Sequence, residues 1–81
     1  HADGYRVLQP IPIKIERVRG GFLATFEEAN IAIGGVHLQD AYQSLVAEIL
    51  DTFDRLNDEA ANLGHDAMNQ LQVLRTYIVK E

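Results

Sequence analysis

No cysteine and no tryptophan occur in the 81 residues, and serine occurs once, at Ser44. Without cysteine there is no disulfide, no thiolate nucleophile and no thiolate metal ligand. That composition fits a reducing compartment, and a cytoplasmic location is expected. Ser44 has no nucleophile motif around it, so serine catalysis is not expected. The three histidines, His1, His37 and His65, fall at no metal-ligand spacing, and neither a metal nor another cofactor is expected. No apolar run approaches the ~20 residues that cross a bilayer. Nor does a basic stretch lead into an apolar one, so neither a membrane segment nor a signal peptide is expected. Basic residues are also scarce: seven Lys and Arg stand against twelve Asp and Glu, for a formal net charge of −5. Nucleic-acid binding generally needs a basic face. An acidic surface better suits a basic protein partner, or solubility.

What is present reads as one small domain, of a size that buries only about 60% of its unfolded surface. The chain begins with His1 rather than Met, and His-Ala-Asp-Gly resembles a tag remnant. Residues 1–10 are therefore expected to be an N-terminal extension, and 11–81 the domain. In "IPIKIERV" (11–18) Ile11, Ile13 and Ile15 alternate with polar positions, the period of a half-buried strand. Pro10 and Pro12 restrict its start to an edge. Arg19-Gly20-Gly21 reads as a hairpin turn, and "FLATF" continues as a second strand with Phe22, Ala24 and Phe26 on one face. "NIAI" makes a short third strand, ended by Gly34-Gly35. From Leu38 the spacing changes to three and four: Leu38, Ala41 or Tyr42, Leu45, Ile49, Phe53 and Leu56 form an apolar helical stripe, widened by Val46 and Leu50. His37 falls at the N-cap, a poor residue there, with Asp40 three residues on. Asp51 and Arg55 are spaced for an ion pair. Gly64 is suited to a left-handed C-cap.

The tail from His65 reads two ways. As a helix it has Asp66 as N-cap and Met68, Leu71, Leu74 and Ile78 on one stripe; as a strand it has Leu71, Val73 and Tyr77 alternating. The capping residue and the helix formers that follow favour the helix. The expected fold class is α+β: a three-stranded antiparallel sheet packed by a long helix, plus a C-terminal helix, in the order β-β-β-α-α.

Chemistry-bearing constellations are few. Glu48, Asp51 and Asp54 line one side of the long helix, but a general acid needs a pocket that shifts its pKa, and the pattern is that of a solvated face. "RGG" and "IGGVH" contain neither a phosphate-loop lysine nor a dinucleotide fingerprint. Lys14, Arg17 and Arg19 crowd the first hairpin beside Phe22, which is the sequence basis for an RNA-binding alternative. Phe22 and Phe26 share the core-forming alternation, so burial is expected and RNA binding is the less favoured reading.

"IPIKIERVRGGFLATFEEANIAIGGVHLQDAYQSLVAEILDTF" resembles the N-terminal domain of HicB-like antitoxins over roughly residues 11–55. The shared plan is an opening strand, a glycine-containing hairpin, an aromatic-bearing second strand and a short third strand. A Gly-x-Thr-x-x-Glu-Ala element then opens a helix. Gly35, Asp40 and Ala41 stand at the glycine, acidic and alanine positions, and Leu45 and Ile49 at the apolar helix positions. His37 replaces the threonine, Val36 replaces a usual aspartate, and "EANIAIGG" stands where a Pro-Gly-Cys element is common. Leu63-Gly64 is similar to the start of the last helix in a single-domain subgroup. The resemblance implies a ribonuclease H-related fold without catalytic carboxylates, and hence no enzyme. It also implies binding of a small basic mRNA-cleaving toxin. The chain ends too soon for the family's DNA-binding module, so operator binding is not expected. Charge alone nominates Glu27, Glu28, Glu48, Asp51 and Asp54 as toxin-facing. A homodimer or higher oligomer is a further expectation, because the core is small and strand edges are exposed.

Overall fold

The computed structural model describes residues 4–81. His1, Ala2 and Asp3, and with them most of the suspected tag remnant, lie outside the described residues. The fold is α+β. Strands β2 (Lys14–Val18), β3 (Gly21–Phe26) and β4 (Ile31–Gly35) form an antiparallel sheet in that order, and the long helix α1 (Leu38–Asp58) lies across one face. Helix α2 (His65–Tyr77) follows. It packs on α1 and on the 3-10 turn Glu27–Ala29 that links β3 to β4. Two strands not read from the sequence, β1 (Tyr5–Val7) and β5 (Ile78–Lys80), pair antiparallel into a separate ribbon. Residues 5–7, assigned above to an extension, are thus part of the folded unit. The tail is helical through Tyr77, so the helix reading holds and the strand reading of Leu71, Val73 and Tyr77 does not; Ile78, placed on the helical stripe, instead begins a three-residue strand.

The alternation in the first half gives the sheet its inner face. Register pairs Ile15 with Ala24 and Ala24 with Ile33, and Phe26 with Ile31. These meet Ala41, Leu45, Ile49, Phe53 and Leu56 of α1 and Leu71, Leu74, Tyr77 and Ile78 of the tail in one core. The first strand begins at Lys14 rather than Ile11, because Pro10 and Pro12 hold the approach without ladder hydrogen bonds. Gly20 supplies a left-handed φ of 84° in the two-residue turn between Val18 and Gly21. Asn30, expected at the start of the third strand, instead takes φ 57° and ends the 3-10 turn, its N–H bonded to the Glu27 carbonyl at 3.0 Å.

The two glycines expected to end the third strand belong to β4: Gly34 pairs with Leu23 and Gly35 with Phe22. Gly35 is required by proximity. A Cβ there would lie 2.5 Å from the backbone nitrogen of Ala41 and 2.9 Å from its Cα, so the missing side chain is what lets α1 seat on β4. A Cβ on Gly21 would collide with the Gly35 carbonyl oxygen.

Three details of the helices differ from expectation. In the stripe, Leu38 (51% exposed) and Tyr42 (46%) stay outside the core while Ala41 is fully buried. Gly64 is no left-handed cap; with φ −71° and ψ 175° it is the N-cap of α2, and Asp66 lies in that helix's first turn. Helix α1 instead winds down through a second 3-10 turn, Ala60–Asn62. Finally, the ion pairs within 4 Å among the described residues are Lys80–Asp54 and His65–Asp66, so Asp51 and Arg55 do not pair.

His37 does sit at the N-cap of α1, extended at φ −111° and ψ 156°, and its side chain makes no capping hydrogen bond. An aspartate or threonine there reaches the free N–H groups that imidazole leaves unused. His37→Asp should therefore stabilise the domain by about 1 kcal/mol. Thermal unfolding checks this, with a midpoint raised by about 5 °C expected for a domain of this length.

Candidate protein-binding surface

The five carboxylates nominated by charge do not form one patch. Glu27 and Glu28 occupy the 3-10 turn against α2, whereas Glu48, Asp51 and Asp54 lie along α1. Three of them are engaged within the chain. Glu28 accepts a hydrogen bond from the Tyr77 hydroxyl. Glu48 accepts one from the buried Thr52 at 3.3 Å. Asp54 accepts from the Tyr5 hydroxyl and pairs with Lys80 at 3.2 Å. Among the described residues Asp51, which is exposed, has no partner, and neither has exposed Asp58, one turn beyond Asp54. At three- and four-residue steps, Asp51, Asp54 and Asp58 make an acidic ridge on the side of α1 turned away from the sheet.

Asp54 also fastens the two chain ends to the helix. Tyr5 reaches it from β1 and Lys80 from β5, with the ammonium 5.6 Å from the Tyr5 ring centroid, while the Tyr5 ring meets Phe53 edge-on. Gln9 and the Leu8 N–H add bonds to the Thr76 and Tyr77 carbonyls at 2.9 and 2.7 Å. The Tyr5 hydrogen bond holds the Asp54 carboxyl below its ordinary pKa, assisted by Lys80. The same carboxylate raises Tyr5 and Lys80, and the Glu28 hydrogen bond raises Tyr77. For Asp54, a folded pKa below the unfolded value means stability that is present above about pH 4 and is lost as pH falls through the folded value. The raised Tyr and Lys groups work oppositely, contributing below about pH 10 and failing as pH rises through their folded values. Asp54→Asn should therefore melt a few degrees below the parent at neutral pH, and the gap should narrow as pH falls below about 4. A gap that stays constant across thermal melts in that series would remove Asp54 from the acid sensitivity.

The basic residues of the hairpin are divided by strand alternation. Arg17 lies on the inner face, its guanidinium carbon 5.8 Å from the centroid of half-buried Phe22. Lys14 is on the outer face and Arg19 in the turn. Phe26 is fully buried against Tyr77, ring centroids 5.2 Å apart and edge-on. Phe22 and Phe26 thus offer no exposed stacking platform on the sheet.

An apolar groove of about 280 Å³ opens between α1 and the β1–β5 ribbon, with Ile11, Ile13, Tyr42, Val46 and Leu50 among its walls. Its lining side chains are apolar apart from the hydroxyls of Tyr5, which is bonded to Asp54, and of Tyr42. Among the described residues, no group of three or more His, Cys, Asp or Glu side chains is placed to hold a metal ion. No helix among them is long and apolar enough to cross a membrane.

Tyr5, Tyr77 and Lys80 carry no mark in the sequence that singles them out. "YIVK", rich in strand formers, and the β-compatible "YRV" give a faint signal, masked by the helical run before one and the apparent tag before the other. Compared with protein-family models, with curated proteins and with solved structures, the chain matches none of them.

Proposed function

We propose that this chain is a non-enzymatic protein-binding domain that masks a small basic mRNA-cleaving protein in the cytoplasm, in the manner of a single-domain HicB-like antitoxin. The observation that carries the reading is the acidic ridge of α1. Asp51 and Asp58 stand exposed with no cation of the described residues within ion-pair distance, and Asp54 is held ionised between them. A chain of net charge −5 with such a ridge attracts a basic partner over several ångströms before contact. Asp54 is shifted downward, which suits an ionised acceptor and not a general acid at neutral pH. The stretch from β2 to α2 runs strand, strand, strand, helix, helix, the order expected from the resemblance on which the antitoxin reading rests, while β1 and β5 lie outside it.

Of the five nominated acids, Asp51 forms the contact together with Asp58, and Asp54, whose two oxygens are taken by Tyr5 and Lys80, adds only its share of the ridge's charge. Glu27 is free to contribute from the 3-10 turn, while Glu28 and Glu48 act mainly within the fold. RNA binding through Lys14, Arg17 and Arg19 has weaker support, because Arg17 faces the opposite side of the sheet from Lys14. Affinity capture from the native cell tests the proposal. The parent chain is expected to retain a small basic ribonuclease, and Asp51→Lys with Asp58→Lys to release it. Retention of no such protein, or equal retention by the charge-reversed chain, would overturn the reading.

A further inference from the structure

The sheet has two edges, and they are built differently. At β2 the approach carries Pro10 and Pro12, and the strand itself carries Lys14, Glu16 and Arg17. Prolines and charges of this kind are what proteins use to keep an edge from pairing with another chain. At β4 there is no such guard. Ala29–Gln39 contains no Asp, Glu, Lys or Arg, and it is the longest uncharged run in the sequence. β4 bonds to β3 on one side, while α2 packs on α1 and the Glu27–Ala29 turn, and the β1–β5 ribbon is a separate sheet. Every second residue of β4 therefore turns its N–H and C=O toward an unfilled edge. The outward side chains Ala32 and Gly34 are too small to obstruct a neighbouring strand. Just past the strand, Val36 is 67% exposed and Leu38 51%, two of the most exposed large apolar residues described.

We propose that β4 is a self-association seam: two copies of this chain pair β4 to β4 in antiparallel fashion about a two-fold axis, joining two three-stranded sheets into one of six. The occupant is argued from charge. Copies of net charge −5 repel each other wherever acids face, and of the two edges of the three-stranded sheet, β4 in its uncharged run from Ala29 to Gln39 is the one that a like-charged copy meets without an opposing carboxylate, since β2 carries Glu16. A basic partner is drawn to the acidic ridge of α1 and gains no electrostatic advantage from a neutral edge. An antiparallel pair is self-complementary, so one five-residue strand satisfies both copies. Centring the pair on Ile33 sets Ala32 of one copy opposite Gly34 of the other, and Val36 opposite Asn30. The exposed valine is then covered at both ends of the seam.

The inference stands apart from the antitoxin reading, and ionic strength separates the two. A like-charged dimer joined at a neutral edge holds or tightens as salt rises, whereas a complex of acidic and basic proteins weakens. The test is sedimentation equilibrium of the chain alone at micromolar concentration, in low and high salt. A mass of twice 9.1 kDa, unchanged or favoured in high salt, is expected. Ala32→Lys places two ammonium groups diagonally across the seam and should weaken the dimer by about tenfold or more. Glu16→Lys, on the guarded edge, should leave it intact. Circular dichroism shows that each variant is folded. A 9.1 kDa monomer in both salts, or a folded Ala32→Lys chain that dimerises like the parent, overturns the proposal.

Discussion

Gly35→Ala should cost about 3 kcal/mol or more and lower the unfolding midpoint by about 15 °C, while Gly34→Ala, its neighbour, leaves the midpoint unchanged or slightly raised. The two glycines sit in the same strand and differ in what faces them. The new methyl at position 35 meets the Ala41 nitrogen at 2.5 Å, the Ala41 Cα at 2.9 Å and the Asp40 carbonyl carbon at 3.0 Å. All three are backbone atoms in the first turns of α1, so relief requires the whole helix to lift from β4. At position 34 the nearest atom is the Phe22 carbonyl oxygen at 3.7 Å, an ordinary contact. Alanine there restricts only the unfolded chain, which favours folding slightly. A domain of this length has roughly 4–12 kcal/mol of stability in all, so the first substitution removes a large part of it. Paired thermal melts of the two variants decide the matter, and equal midpoints would mean that α1 is not seated on Gly35.

Phe26→Ala should be comparably severe, at about 3–5 kcal/mol. Phe26 is fully buried where the sheet, α1 and the tail meet, and its ring packs edge-on against Tyr77. Removing it opens a cavity and also takes away the surface that orients Tyr77 toward Glu28. Hydrogen exchange should show the loss spreading along α2, with amides from Leu71 to Tyr77 exchanging faster than those in the middle of α1. Tyr77→Phe keeps the ring contact and loses only the hydroxyl, so its midpoint should fall by a fraction of that amount. Uniform loosening of both helices in Phe26→Ala would show that Phe26 supports the core generally and not α2 in particular.

These two sites show which parts of the architecture local pattern carries. One covered face on an antiparallel meander writes itself as alternation, so spacing alone puts Ile15, Ala24, Phe26, Ile31 and Ile33 in one layer. A helix lying across that layer writes itself as a three-four stripe from Ala41 to Leu56. The ribbon writes nothing comparable. Its strands are three residues each, and Tyr5 pairs with Lys80 from the far end of the chain, so the pairing is held by tertiary contacts that no local window contains. Gly35 is legible as a glycine but not as a close approach, because the atom that forbids a side chain belongs to Ala41, six residues on. Gly64 misleads for the same kind of reason. Its φ and ψ follow from the start of α2, while α1 ends earlier in a 3-10 turn whose residues Ala60-Ala61-Asn62 carry no stop signal.

The acidic surface is legible in composition and only partly in detail. Spacing places Glu48, Asp51 and Asp54 together, but not the tyrosines that occupy Glu28 and Asp54, since both bonds join residues 49 positions apart. Asp58 takes its place through the ridge that the outer side of α1 presents.

The most direct measurement of the central claim is inhibition of mRNA cleavage. The small basic ribonuclease retained by the chain is assayed on mRNA while the chain is titrated in. Cleavage is predicted to cease once the chain reaches stoichiometric amounts, and to persist when Asp51→Lys with Asp58→Lys replaces the parent. Cleavage that continues undiminished in excess parent chain would contradict the account.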